Sequence, residues 1–223
     1  MFAGLRAWWR GLRHLQPRGY TYIWANVLWF LLSLPVVTAP AAWAGLVRLS
    51  RAAYLQPQAS LDDFWAGFRE NLGRGAVLAA ANIVIFGLTW ANLSAYRAGS
   101  GTPFDVARIV WTLALLLWVT VQLYLWPIFY AMETPSMRGA LRNAIVMLVL
   151  NPLFSLGLML GVGVIVVFSV IFFAAWPLLT GGALASVATA AVFDRLEAAG
   201  FRKNQPSVFE RDKIQQNPDW GNE

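Results

Sequence analysis

No cysteine occurs anywhere in this chain, and histidine occurs once, at His14. The first absence removes disulfides, thiolate metal sites and thiol nucleophiles from consideration, and the second leaves too few ligands for a zinc centre. Charge is thin as well, at 13% of residues, about half of what a soluble domain carries. The cores of the long apolar runs hold no Asp, Glu, Lys or His, whereas proton- or ion-coupled pumps place an ionisable group at membrane depth. There is no Gly-rich phosphate loop ahead of a soluble helix, no Ser-His-Asp set and no nucleotide motif. An enzyme is not expected, nor are a cofactor, a metal or a catalytic residue.

What is present is apolar: 58% of residues are hydrophobic and 14% aromatic, with a mean hydropathy of +0.55. This is the composition of a polytopic membrane protein. The expected fold is all-α, a membrane helical bundle of about five transmembrane helices with interfacial amphipathic helices. The net charge is +6, and 15 of the 17 basic residues are arginine. These arginines flank the apolar runs instead of forming one patch, so they report membrane topology and not a nucleic-acid partner.

Residues 1–19 set Phe2, Leu5, Trp8, Trp9, Leu12 and Leu15 against Arg6, Arg10 and Arg13, the spacing of an interfacial amphipathic helix. The membrane domain covers 20–197, with spans expected near 20–47, 75–93, 106–132, 153–175 and 178–193. The first run is 28 residues without a charge, about 40 Å of helix, more than a bilayer core requires. Pro35 and Pro40 interrupt it, so a kink is expected where Pro35 removes a donor and frees carbonyls that lipid cannot satisfy. Surface helices are expected near 60–73, opened by a capping-box-like Ser60 and Asp63, and near 136–150, with Asn151-Pro152 separating the latter from the next span. The segment 198–223 reads as a disordered polar tail.

On five spans, placing the N-terminus outside puts 11 basic residues on the cytoplasmic side against 6, so the positive-inside rule favours N-out and C-in. A re-entrant or split first run would instead leave both ends on one side. Trp24, Trp43, Trp90, Trp126 and Trp176 fall near span ends, as interfacial anchors do.

Two breaks echo each other: Pro35-Val-Val-Thr38 and Pro177-Leu-Leu-Thr180. Broken helices present free backbone groups, and membrane proteins built from repeats use them to bind substrates. The candidate site is therefore Ser33, Pro35, Thr38, Pro177, Thr180 and Gly181, lying between the first and last spans. The competing reading is that Pro, Thr and Gly serve kinking and close packing. The same choice applies to the intramembrane amides Asn26, Asn82, Asn92, Gln122 and Asn151, for which interhelical hydrogen bonding is the ordinary role. The cluster Asp62, Asp63, Arg69 and Glu70 reads as a solvated helix face, since no histidine lies near it.

The order Asn26, Leu28-Trp29, Ser33-Leu-Pro-Val-Val-Thr38, Ala41 and then Asp63-Phe-Trp-Ala-Gly-Phe-Arg-Glu-Asn71 resembles the YesL family (domain of unknown function 624), bacterial integral membrane proteins. The resemblance implies a multi-pass protein of the bacterial plasma membrane, accessory or regulatory to carbohydrate uptake. Its expected partners are the lipid bilayer, a sugar ABC permease and a second copy of the chain. The alternative is a small facilitator or transporter for a neutral solute. No catalytic residues are carried over from the family.

Overall fold

The structure is a computed structural model that describes residues 1–15, 19–56, 58–97 and 99–201. It is all-α, with no strand among the described residues. In chain order the helices are α1 (Phe2–Arg13), α2 (Gly19–Ser33), α3 (Ala39–Leu55), α4 (Leu61–Glu70), α5 (Leu72–Ala95), α6 (Thr102–Ala131), α7 (Met137–Leu150), α8 (Pro152–Ile171) and α9 (Gly181–Ala198). The expected polar tail at 198–223 falls, from 202 on, outside the described residues.

Among the described residues four helices are long and apolar enough to cross a membrane: α5, α6, α8, and α9 together with the wide turn Trp176–Thr180 that leads into it. They alternate in direction. Asn71, just before α5, donates to the Tyr130 hydroxyl near the end of α6, while Asn151 at the start of α8 accepts from Arg195 near the end of α9. The fifth expected span, 20–47, is not one helix. α2 stops at Ser33, a short 3-10 turn covers Val36–Thr38, and α3 starts at Ala39. Pro35 has no N–H to continue α2, and Pro40 stands in the first turn of α3, where a missing donor costs nothing. Three hydroxyl and carbonyl groups close the break: Thr38 Oγ1 donates to the Leu32 carbonyl, and the Thr38 N–H donates to the Pro35 carbonyl at 3.0 Å.

α9 is the central column. Of its apolar stretch 72% is buried within the protein, against 17% for α5. Gly182, Ala183, Ala185, Ala188 and Ala191 are all buried, and side chains this small let neighbouring backbones come close, which is how helices associate where lipid removes the hydrophobic drive. α1 uses the same device. Gly4, Ala7 and Gly11 form its buried face, packed on α8 and α9, while Phe2 and Trp9 remain exposed. The interfacial helix expected over 1–19 is instead packed into the bundle on one side: its glycines and Ala7 make the closest approach, with Trp8, Leu12 and Leu15 packed partly buried against the core beside them. Arg10 then reaches Asp194 at 3.7 Å and Glu197 at 3.9 Å, which places α1 beside the end of α9.

Boundaries elsewhere follow local chemistry. Ser60 and Asp63 form the capping box at α4, with the Ser60 N–H donating to Asp63 Oδ2 at 3.0 Å and Ser60 Oγ accepting from the Asp62 N–H at 3.2 Å. Ser136 caps α7 by accepting from the Gly139 N–H at 3.2 Å. α4 ends at Glu70, so the expected 60–73 surface helix is shorter and α5 takes its last residues. Pro152 stands in the first turn of α8 and stops α7 at Leu150. The expected span 153–175 ends earlier, at Ile171, and the last one starts two residues sooner and runs five residues further than 178–193. Trp24 and Trp90 are exposed as anchors should be, but Trp126 is fully buried in the core, stacked edge-on to Phe129 at 5.3 Å.

Candidate functional site

The six residues expected to form a site at the broken helices lie at two separate junctions. Pro35 is exposed at the tip between α2 and α3, beside the exposed Leu34, Val36 and Val37. Thr38 spends its hydroxyl on the end of α2, and Ser33 Oγ is buried without a hydrogen-bond partner among the described residues. At the other junction Pro177 lies inside the wide turn, and Thr180 is bonded to Ser169 of α8 at 2.6 Å and to the Ala175 carbonyl at 2.9 Å. Among the described residues no hydrogen bond joins Thr38 to Thr180. The valine variants Thr38→Val and Thr180→Val separate ligand binding from helix closure: a loss of function without a fall in melting temperature is the result expected of a site.

Asn26, fully buried in α2, ties α2 to the last span. Its Nδ2 donates to the Trp176 carbonyl at 2.7 Å, and its Oδ1 accepts from the Gly182 N–H at 2.6 Å. Gly181 permits the approach, because a Cβ there would stand 2.6 Å from the Trp29 ring and 2.8 Å from Asn26 Oδ1. The sequence marked Asn26 only as one amide among five. Its place in an otherwise apolar helix, 150 positions from the group it binds, left no local signal for the pairing.

A second constellation has the form of a binding site. α3 and α4 cross closely because glycines meet: a Cβ on Gly67 would sit 2.9 Å from Gly45 Cα, and a Cβ on Gly45 would sit 2.7 Å from the Phe64 carbonyl oxygen. The crossing sets Arg48 of α3 against Glu70 of α4, an ion pair. Asn71, buried between α4 and α5, donates to the Gly67 carbonyl at 2.9 Å and to the Tyr130 hydroxyl at 3.0 Å, while its Oδ1 accepts from Arg74 at 3.0 Å. Arg74 also lies over the Phe129 ring at 5.4 Å. Around this network opens a cavity of about 440 Å³ whose charged lining is Arg48, Arg51, Arg74, Asp63 and Glu70. Asp63 is engaged with the Ser60 N–H and Glu70 with Arg48, so the lining carries a surplus of positive charge.

The acidic cluster named from the sequence does not stay together. Asp62 is exposed, Asp63 caps α4, Arg69 lies over the Trp65 ring at 5.4 Å, and Glu70 faces Arg48. Among the described residues no group of three or more His, Asp or Glu is placed to hold a metal ion. The Arg48–Glu70 pair is half open to solvent, with side-chain exposures of 31% and 58%. Glu70→Gln is therefore expected to change the thermal unfolding free energy by less than about 1 kcal/mol, read by melting in detergent.

The fold and cavity define a class: an all-α protein with four helices able to cross a membrane and an arginine-rich polar cavity where α3, α4, α5 and α6 meet. A family model described as "Protein of unknown function, DUF624" matches residues 22–93, so over that stretch the chain is similar to the family whose residues it resembles. The matched stretch contains Asn26, the α2–α3 break, and Arg48, Arg51, Asp63, Glu70, Asn71 and Arg74 of the cavity. No curated protein and no solved structure matches the chain.

Proposed function

We propose that the protein is a non-enzymatic accessory or regulatory component of a carbohydrate uptake system in the bacterial plasma membrane, acting by packing against the membrane part of a sugar ABC permease. The observation that supports this reading over a solute facilitator is the filled interior. α9 occupies the middle of the bundle, and its Gly and Ala side chains interlock with the surrounding helices, so the bundle centre is packed protein. The outer faces of α5, α6 and α8 are instead lined with exposed Leu, Ile, Val and Phe, surface suited to lipid or to a partner's membrane helices. The link to sugars comes from the family resemblance alone.

The N-out, C-in arrangement expected from counting charges over five spans does not go with the pairing of Arg10 with Asp194 and Glu197, which sets the first helix beside the end of the last. Four alternating spans bring the arginines of the cavity, with Arg195, to one end. We assign that end, with α1 and the end of α9, to the cytoplasmic side by the positive-inside rule. Reporter tags ahead of Met1 and after Glu223 are expected to give the same cytoplasmic signal, and opposite signals would overturn the assignment. Purification of the tagged chain in mild detergent is expected to bring a permease subunit with it. Solute flux through liposomes holding the purified chain alone would replace this reading with the facilitator.

A further inference from the structure

Next to the arginine cavity, and sharing Arg74 and Pro135 with it, runs a groove of about 650 Å³ between α5, α6 and α7. Its lining is mostly apolar: Val77, Leu78, Ala81, Trp118, Leu125 and Leu141. Two of the helices that form it are long and apolar enough to cross a membrane, which would present the groove to hydrocarbon. Its wall is braced from behind, because Asn82 Oδ1 accepts from both Trp118 Nε1 at 3.0 Å and Gln122 Nε2 at 2.5 Å, which fixes the Trp118 ring. Arg138, exposed at the start of α7, adds a further cation at the groove's polar end beside Arg74.

Two adjoining pockets that share Arg74 and Pro135, one lined by guanidinium groups and the other an apolar slot, together match one kind of molecule. We infer that this protein holds an anionic phospholipid, with its phosphate head among Arg48, Arg51 and Arg74 and an acyl chain in the groove between α5, α6 and α7. Three arginines against two engaged carboxylates supply the charge complement for the head, and guanidinium groups bind phosphate oxygens through paired N–H donors. A free anion would use the cavity and leave the groove empty. A zwitterionic lipid would bring its ammonium group into the arginine cluster. The adjoining cavity and groove therefore select the lipid that carries both parts and a net negative head. This site does not depend on the permease reading, since it is complete within one chain.

The test uses the full chain in a neutral detergent, with dioleoyl phosphatidylglycerol, dioleoyl phosphatidylcholine or glycerol 3-phosphate added in turn. Retained lipid is counted by native mass spectrometry, and melting temperature is followed in parallel. The expected result is retention of one phosphatidylglycerol and a rise in melting temperature that neither of the other two probes gives. Arg48→Gln with Arg74→Gln is expected to weaken phosphatidylglycerol retention roughly thirtyfold, at about a factor of five for each arginine near an anionic head. Val77→Trp is the second variant: Val77 is 73% exposed on α5, so the larger ring fills the groove without entering the core and is expected to abolish retention. Each variant is compared with itself in phosphatidylcholine, which removes any general loss of stability from the reading. Equal retention of both lipids, an equal effect from glycerol 3-phosphate, or wild-type retention in both variants would overturn the site.

Discussion

Asn26→Leu is expected to lower the unfolding free energy by about 3 kcal/mol, a loss set by the two hydrogen bonds that a fully buried amide makes to backbone groups of the last span. Leucine suits the neighbouring residues of α2, which are apolar, so nothing in the helix itself opposes the change. The cost arises on the other side of the contact. The Trp176 carbonyl at the start of the wide turn and the Gly182 N–H in the first turn of α9 lose their hydrogen bonds to Asn26. Hydrogen bonds between membrane helices average only about 0.6 kcal/mol because their partners find substitutes. Here the partners are main-chain groups fixed at a turn containing Pro177, so the larger figure applies. Asn92→Leu is the matched comparison. Among the described residues the Asn92 side chain bonds only the Leu88 carbonyl of its own helix, and its replacement is expected to leave the melting temperature nearly unchanged. Equal melting of Asn26→Leu and the wild type would show that α2 is held to the last span by packing alone.

Gly4→Leu and Gly11→Leu are each expected to lower stability by on the order of 3 kcal/mol and to release α1 from the bundle. A Cβ on Gly4 would stand 2.1 Å from the Phe154 carbonyl oxygen, and one on Gly11 would stand 2.6 Å from Val187 Cα. Both obstacles are main chain and cannot rotate aside. Gly163→Ala is the control, because a Cβ there meets nothing within 4 Å, and exchange of glycine for alanine inside a helix is worth about 1 kcal/mol in the opposite direction. Limited proteolysis near residues 14–19 reads the release directly. An α1 as protected in the two leucine variants as in the wild type would show that the helix is not seated on α8 and α9.

Much of the fold was legible because prolines and caps act locally. Pro35 and Pro40 broke the first apolar run, Asn151-Pro152 divided α7 from α8, and Ser60 with Asp63 opened α4, all from chemistry within four residues of the event. Three features were not legible, for related reasons. Periodicity shows that the faces of α1 differ but not which one is packed; Phe2 and Trp9 stay exposed, while Gly4, Ala7 and Gly11 approach α8 and α9 most closely, with Trp8 and Leu12 packed beside them. Trp126 stood at the position of an anchor, yet the surrounding helices enclose it. The arginine cavity draws on α3, α4, α5 and α6, brought together by glycines at 45 and 67 that had no marker in one dimension. The expected broken-helix site rested on a real likeness between two breaks, but each break is closed by its own threonine.

The hydroxyl of Ser186 donates to the carbonyl of Gly11 at 2.7 Å across 175 positions of sequence. A ribosome makes α1 long before α8 and α9, so the helix must wait for both of its seats until most of the bundle has been made. Arg6, Arg10 and Arg13 equip it to wait at an anionic membrane surface, and α9 completes its seat, so that chains stopped before residue 176 would leave α1 without its α9 partner.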